Sequence, residues 1–138
     1  MAGFVGSFEH SLDVKGRVIL PVRFREPFLR GGFLTPIQGG CLALWTPSEF
    51  ERQTEQMLTM SKESSTGRDR ARMWAATAAD VEIDKQGRMP IPARLREMAH
   101  LDGEVLIQGA IDRIEIWAPP LWAERIQPSE QWFLGDDA

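Results

Sequence analysis

Cysteine, histidine and tyrosine are almost missing from this chain: there are one, two and none among 138 residues. Cys41 has no second cysteine to bridge to, so the fold depends on no oxidising compartment. His10 and His100 stand alone, without C-x-x-C or H-E-x-x-H spacing, which leaves no zinc motif. Gly31-Gly32 and Gly39-Gly40 lie outside any G-x-G-x-x-G or Walker context and read as turn glycines, so no phosphate-cradling loop is expected. No stretch approaches the ~18 consecutive apolar residues of a membrane span, and MAGFVGSFEH lacks the basic and apolar regions of a secretory signal. The expectation is a cytoplasmic protein with no metal, cofactor or membrane partner. Composition, at 43% hydrophobic and 26% charged, is that of a folded soluble domain. The length suits one domain or two small halves sharing a core.

A basic balance is missing too, with 16 Lys+Arg against 20 Asp+Glu for a net charge of −4. The charges are nevertheless segregated. Asp13 to Arg30 holds Lys15, Arg17, Arg23, Arg25 and Arg30 against Asp13 and Glu26, a local +3. Asp102 to Ala138 sets two arginines against eight acids, a local −6. Charges beyond a Debye length of roughly 8 Å are screened at physiological salt, so a basic face on an acidic body can still bind an anion.

What the chain does contain is a repeat. DVKGRVILPVRFRE at 13–26 and DKQGRMPIPARLRE at 84–97 share seven of fourteen residues at an offset of 71. LALWTP at 42–47 then meets IEIWAP at 114–119 at an offset of 72, so the second copy has gained one residue. Two copies are too few for a solenoid and are expected to pack as a pseudo-symmetric pair. The boundaries read as a first repeat over 1–58, a linker and helix over 59–77, a second repeat over 78–126 and an acidic tail over 127–138.

Within the first copy, strands His10–Asp13 and Arg17–Leu20 flank a turn in which Gly16 supplies the positive φ and Asp13 a side-chain cap. Pro21 opens a helix over Val22–Arg30, which Pro27 kinks or shortens. Strands Phe33–Ile37 and Cys41–Trp45 form a second hairpin. Thr46-Pro-Ser-Glu is a capping box that starts a helix over Pro47–Leu58. A polar linker follows from Ser61, then a short helix over Arg68–Thr77. The second copy repeats the plan, with a helix over Ala93–Ala99 and strands Glu104–Gln108 and Arg113–Trp117. Ala118-Pro-Pro-Leu-Trp opens the last helix with a weaker cap.

Candidate chemistry is sparse. Asp13 and Asp84 form a carboxylate pair if the copies bring them together, but turn capping accounts for both more economically. Trp45 and Trp117 read as core packing, and Cys41 as a small buried hydrophobe. Arg17 and Arg88 each follow a turn glycine. Two roles are open to them: a local ion pair with the aspartate four residues before, or the tip of a two-stranded ribbon that reads a DNA groove or phosphates.

EHSLDVKGRVILPVRFRE at 9–26, VEIDKQGRMPIPARLRE at 81–97 and RIEIW at 113–117 resemble the MraZ family of bacterial transcriptional regulators over most of residues 4–125. The resemblance implies a mainly β (α+β) fold with short helices, a pseudo-two-fold double swapped-hairpin β-barrel. It implies a homo-oligomeric ring, nucleoid-associated, that binds double-stranded DNA at direct repeats upstream of the division and cell-wall gene cluster. It places the DNA contacts on Lys15 and Arg17 in the first copy and Gln86 and Arg88 in the second. A protein-interaction module of antitoxin type on the same fold is the alternative. Met89-Pro90 stands where the family usually has two aliphatic residues, and because proline cannot donate to a ladder, whether the second hairpin pairs regularly is left open by the sequence.

Overall fold

A computed structural model describes residues 3–135. The first copy contributes strands β1 (Ser7–Ser11), β2 (Arg17–Ile19), β3 (Gly32–Pro36) and β4 (Leu42–Trp45), then helices α1 (Pro47–Ser61) and α2 (Ser65–Thr77). The second contributes β5 (Ala79–Val81), β6 (Arg88–Pro90), helix α3 (Ala93–Met98), β7 (Glu104–Gly109), β8 (Ile114–Trp117), α4 (Pro119–Arg125) and α5 (Ser129–Phe133). The architecture is mainly β with short helices. Six strands form one antiparallel sheet in the order β1-β7-β8-β4-β3-β5, and β2 and β6 form a separate ribbon.

This order reads the same when the copies are exchanged, so it is pseudo-two-fold. The two self-paired contacts locate the axis. Val18 faces Met89 in the ribbon, at the repeat offset of 71. Ala43 faces Glu115 where β4 meets β8, at the offset of 72. Away from the axis each copy lends its first strand to the other, β1 to β7 and β5 to β3.

The strands flanking each D-x-x-G-R turn therefore do not form the local hairpin expected from sequence. Within the turn, Asp13 N–H donates to Arg17 O at 2.8 Å and Gly16 N–H to Asp13 O at 3.0 Å, and Asp84 and Gly87 do the same with Arg88 and Asp84. Beyond the turn the strands diverge and pair across copies. One core results, drawn from both halves: Val18, Leu20, Phe24, Leu34, Leu42 and Leu44 pack with Val81, Met89, Ile91, Leu95, Val105, Ile107, Ile114 and Ile116.

Pro90 does not disturb pairing. Leu20 N–H donates to Gly87 O at 2.8 Å and Ile91 N–H to Gly16 O at 3.0 Å. Bonded and non-bonded pairs alternate in an antiparallel ladder, so Arg17 and Pro90, opposite each other, occupy a position that asks no donor of either. Pro27 does act. An α-helix over Val22–Arg30 would need its N–H, and the segment forms two 3₁₀ turns instead, Val22–Phe24 and Glu26–Phe28. Without that proline the second copy forms α3.

Thr46 caps α1 by accepting from Glu49 N–H at 3.2 Å. The helix runs three residues beyond Leu58 before Ser64, inside the expected linker, caps α2 through Gly67 N–H at 2.9 Å. The α1–α2 hairpin covers the outer face of β4, where Trp45 and Trp74 meet at 5.8 Å and Phe50 stacks on both Phe33 and Trp74. At the offset of 72, the counterpart of α1 spans 119–133. It is broken at Pro128, which lacks the N–H to continue it, into α4 and α5. Trp117 packs on Trp122 at 5.5 Å beneath it.

Candidate nucleic-acid interface

The ribbon and its two turns form a basic, duplicated feature of the fold. Side chains alternate along a strand, so Val18 and Met89 point into the core and are fully buried, while Arg17, Ile19, Arg88 and Pro90 share the outer face. Ile19 is 46% exposed. Arg17 lies opposite Pro90 and Arg88 opposite Ile19, so the two arginines are diagonal neighbours, with Cα atoms about 7–8 Å apart by sheet geometry.

Each arginine is held by its own turn. Asp13 Oδ1 accepts from Lys15 N–H and Arg17 N–H, both at 2.9 Å, and Oδ2 accepts from Arg17 Nε at 2.8 Å. In the second copy Asp84 accepts from Gln86 N–H and Arg88 N–H at 2.9 Å and from Arg88 Nε at 2.6 Å. The backbone N–H of Arg17 foremost, then its guanidinium, hold the Asp13 carboxyl below its ordinary range, and Arg88 does the same for Asp84. The contacts use Nε alone. Among the described residues no Nη atom of Arg17 or Arg88 has a hydrogen-bond partner. The ion pair thus engages one edge of each guanidinium and leaves the two Nη atoms without a partner among the described residues.

The two aspartates are each satisfied within their own turn and do not form a shared acid–base pair. Lys15 and Gln86 are exposed at the turn tips. So is Lys85, which matching by offset overlooks because its counterpart is Val14. Counting acids and bases around the turn without regard to the repeat would have found it. With Lys85 included, the two turns carry four bases against two acids.

The other repeated arginines have a different role. Arg25 Nε donates to Leu20 O at 2.8 Å and Arg96 Nε to Ile91 O at 2.9 Å, and neither pairs with an acid among the described residues. Arg23 and Arg94 are exposed. Among the described residues no group of three or more His, Cys, Asp or Glu is placed to hold a metal. His10 lies in β1, and His100 ends α3 in the left-handed region at φ 56°. Cys41 is buried, and burial foremost, with the negative charge of Glu115, pushes its thiol up to about 12. No described helix is long and apolar enough to cross a membrane.

Residues 4–73 and 74–133 each match the family described as "MraZ protein, putative antitoxin-like". A protein of Kocuria rhizophila named transcriptional regulator MraZ is 42% identical over 130 residues, covering 94% of this chain and 91% of that protein. Another so named, from Micrococcus luteus, is 40% identical over 134 residues, covering 97% and 94%. One from Thermoanaerobacter is 38% identical over 120 residues, covering 87% and 84%.

Proposed function

The chain belongs to the MraZ family, and from that premise we propose that it is a transcriptional regulator that binds double-stranded DNA through the β2–β6 ribbon. One observation carries this reading. Arg17 and Arg88 lie diagonally on one exposed ribbon face, each oriented by an aspartate at Nε and each with its Nη fork unused among the described residues. A two-stranded ribbon fits the major groove, and an arginine fork pairs bidentately with a guanine edge or a phosphate. Fixing the guanidinium before contact lowers the ordering cost of binding. Lys15 and Gln86 flank the arginines and contact the backbone or neighbouring bases. No catalytic residue is required, since the relatives are regulators and not enzymes.

A single subunit offers few cations, so useful affinity calls for several subunits engaging together. A homo-oligomeric ring presents its ribbons in one rotational sense, which suits direct repeats better than palindromes. The target under this reading is the DNA upstream of the division and cell-wall gene cluster, which puts the protein at the nucleoid of the cytoplasm. The words "antitoxin-like" in the family description favour a second reading, a module that binds a partner protein. A gel shift separates the two. The duplex upstream of the chain's own gene should shift, a scrambled duplex should shift far less, and both shifts should weaken with salt. Equal affinity for both duplexes, or none for either, overturns sequence-specific binding.

A further inference from the structure

A groove of about 830 Å³ lies away from the ribbon, between α1, α2 and the end of β3. Its apolar lining includes Ile37, Trp45, Met57, Met60 and Met73, and Arg70 and Arg113 set two positive charges against Asp69. Methionine-rich linings adapt to apolar partners of irregular shape. Elsewhere on the chain three consecutive large apolar residues at the end of α5 are exposed: Trp132 by 78%, Phe133 by 80% and Leu134 by 70%. A contiguous patch of this kind marks an interaction site.

Pseudo-symmetry connects the two features. The counterpart of Trp132, 72 residues earlier, is Met60. There α2 folds back on α1 so closely that a Cβ on Gly67 would collide with the Met60 carbonyl. This face of the helix is covered by another helix in the first copy, and by none of the described residues in the second. Charge matches as well. The α2 segment holds Arg68, Arg70 and Arg72 against Asp69, whereas residues 124–138 hold Glu124, Glu130, Asp136 and Asp137 against Arg125.

We propose that the segment Ser129–Leu134 of one molecule docks in the α1–α2 groove of a second copy of this chain. The contact joins unlike surfaces, so repetition of it builds a head-to-tail assembly, which is a ring where the rotation closes. It rests on the oligomer of the preceding section and names the surfaces that join its subunits.

Native mass spectrometry of the full chain tests it with Trp132→Glu on the docking segment and Met73→Glu in the groove, both at exposed positions. Wild type should appear as a closed oligomer, and each variant, with unchanged circular dichroism, at the mass of one subunit. Phe133→Glu serves as a second segment variant should Trp132→Glu not fold. Mixing a segment variant with the groove variant should restore one contact and give a dimer containing one of each. A wild type of single-subunit mass, an oligomer that survives either substitution, or no mixed dimer overturns the proposal. Self-association of α5 alone would leave Met73→Glu assembled, which also overturns it. A wild-type oligomer that ignores every duplex overturns the DNA reading and leaves this contact standing. A DNA-binding wild type whose mass neither substitution changes does the reverse.

Discussion

Arg25 lies flat against Gly87, the turn glycine of the other copy, and Arg96 lies in the same way against Gly16, where an added Cβ would come within 2.6 Å of its Cζ. The relationship closes a circuit. Leu20 N–H bonds Gly87 O, Leu20 O accepts from Arg25 Nε, and the Arg25 guanidinium returns to cover Gly87. Each copy thereby clamps the turn that presents the other copy's arginine.

Gly16→Ala and Gly87→Ala should therefore both destabilise the fold. The left-handed φ of +76° and +84° alone disfavours a side chain by about 1–2 kcal/mol, and displacing the clamping guanidinium adds to it. Urea denaturation should show both losses, and retention of wild-type stability in either variant would refute the clamp.

Arg17 and Arg25 should separate binding from stability. Arg17→Ala removes a half-exposed ion pair, with little loss of stability, but should cost about 1–3 kcal/mol of specific DNA affinity if the fork reads a base. Arg25→Ala removes a charged hydrogen bond to a backbone carbonyl and should cost roughly 1.5–3 kcal/mol of stability. Paired melting and titration experiments check both, and a sharp drop in melting temperature with retained affinity for Arg17→Ala would reverse the roles.

The features legible in the sequence were those encoded within a few residues. The D-x-x-G-R turns, the Thr46 capping box and the burial of Cys41 and Trp45 each follow from local chemistry. The exchange of β1 and β5 between copies was not legible from the residues themselves, because a period-2 strand carries no label for its partner; it came through the family resemblance. The same gap leaves the effect of Pro90 open in the sequence, because it depends on whether its register position asks for a donor. Nothing in the spacing of Arg25 or Arg96 shows the carbonyl each one meets, so their anchoring role is not legible in the sequence.

Acid should weaken the turns from one side. The carboxyls of Asp13 and Asp84 lie below the ordinary aspartate value of 3.8 in the folded chain. Their stabilisation is therefore fully present above that value and is lost as pH falls through the lowered folded value. Melting temperature of wild type should exceed that of Asp13→Asn at neutral pH, and the difference should shrink once pH drops below 3.8. A difference that persists unchanged into strong acid would show that the carboxylate charge is not what holds the turn.

Salt dependence should distinguish the arginines from Lys15. Each neutralised phosphate contributes about −0.9 to the slope of log K against log salt, so roughly six contacts across an oligomer give a slope near −5. Lys15 is an exposed point charge at the turn tip, suited to phosphate. Lys15→Ala should make the slope shallower by about 1 for each subunit engaged, with the preference for specific over scrambled duplex retained. Arg17→Ala should instead reduce that preference and leave the slope nearly as it was, because a guanine contact displaces few counterions. Titration of both duplexes at several salt concentrations reads slope and preference from the same curves. If Arg17→Ala flattens the slope and leaves the preference intact, the ribbon grips the backbone and does not read bases, and specificity then arises from the spacing of subunits or the shape of the DNA.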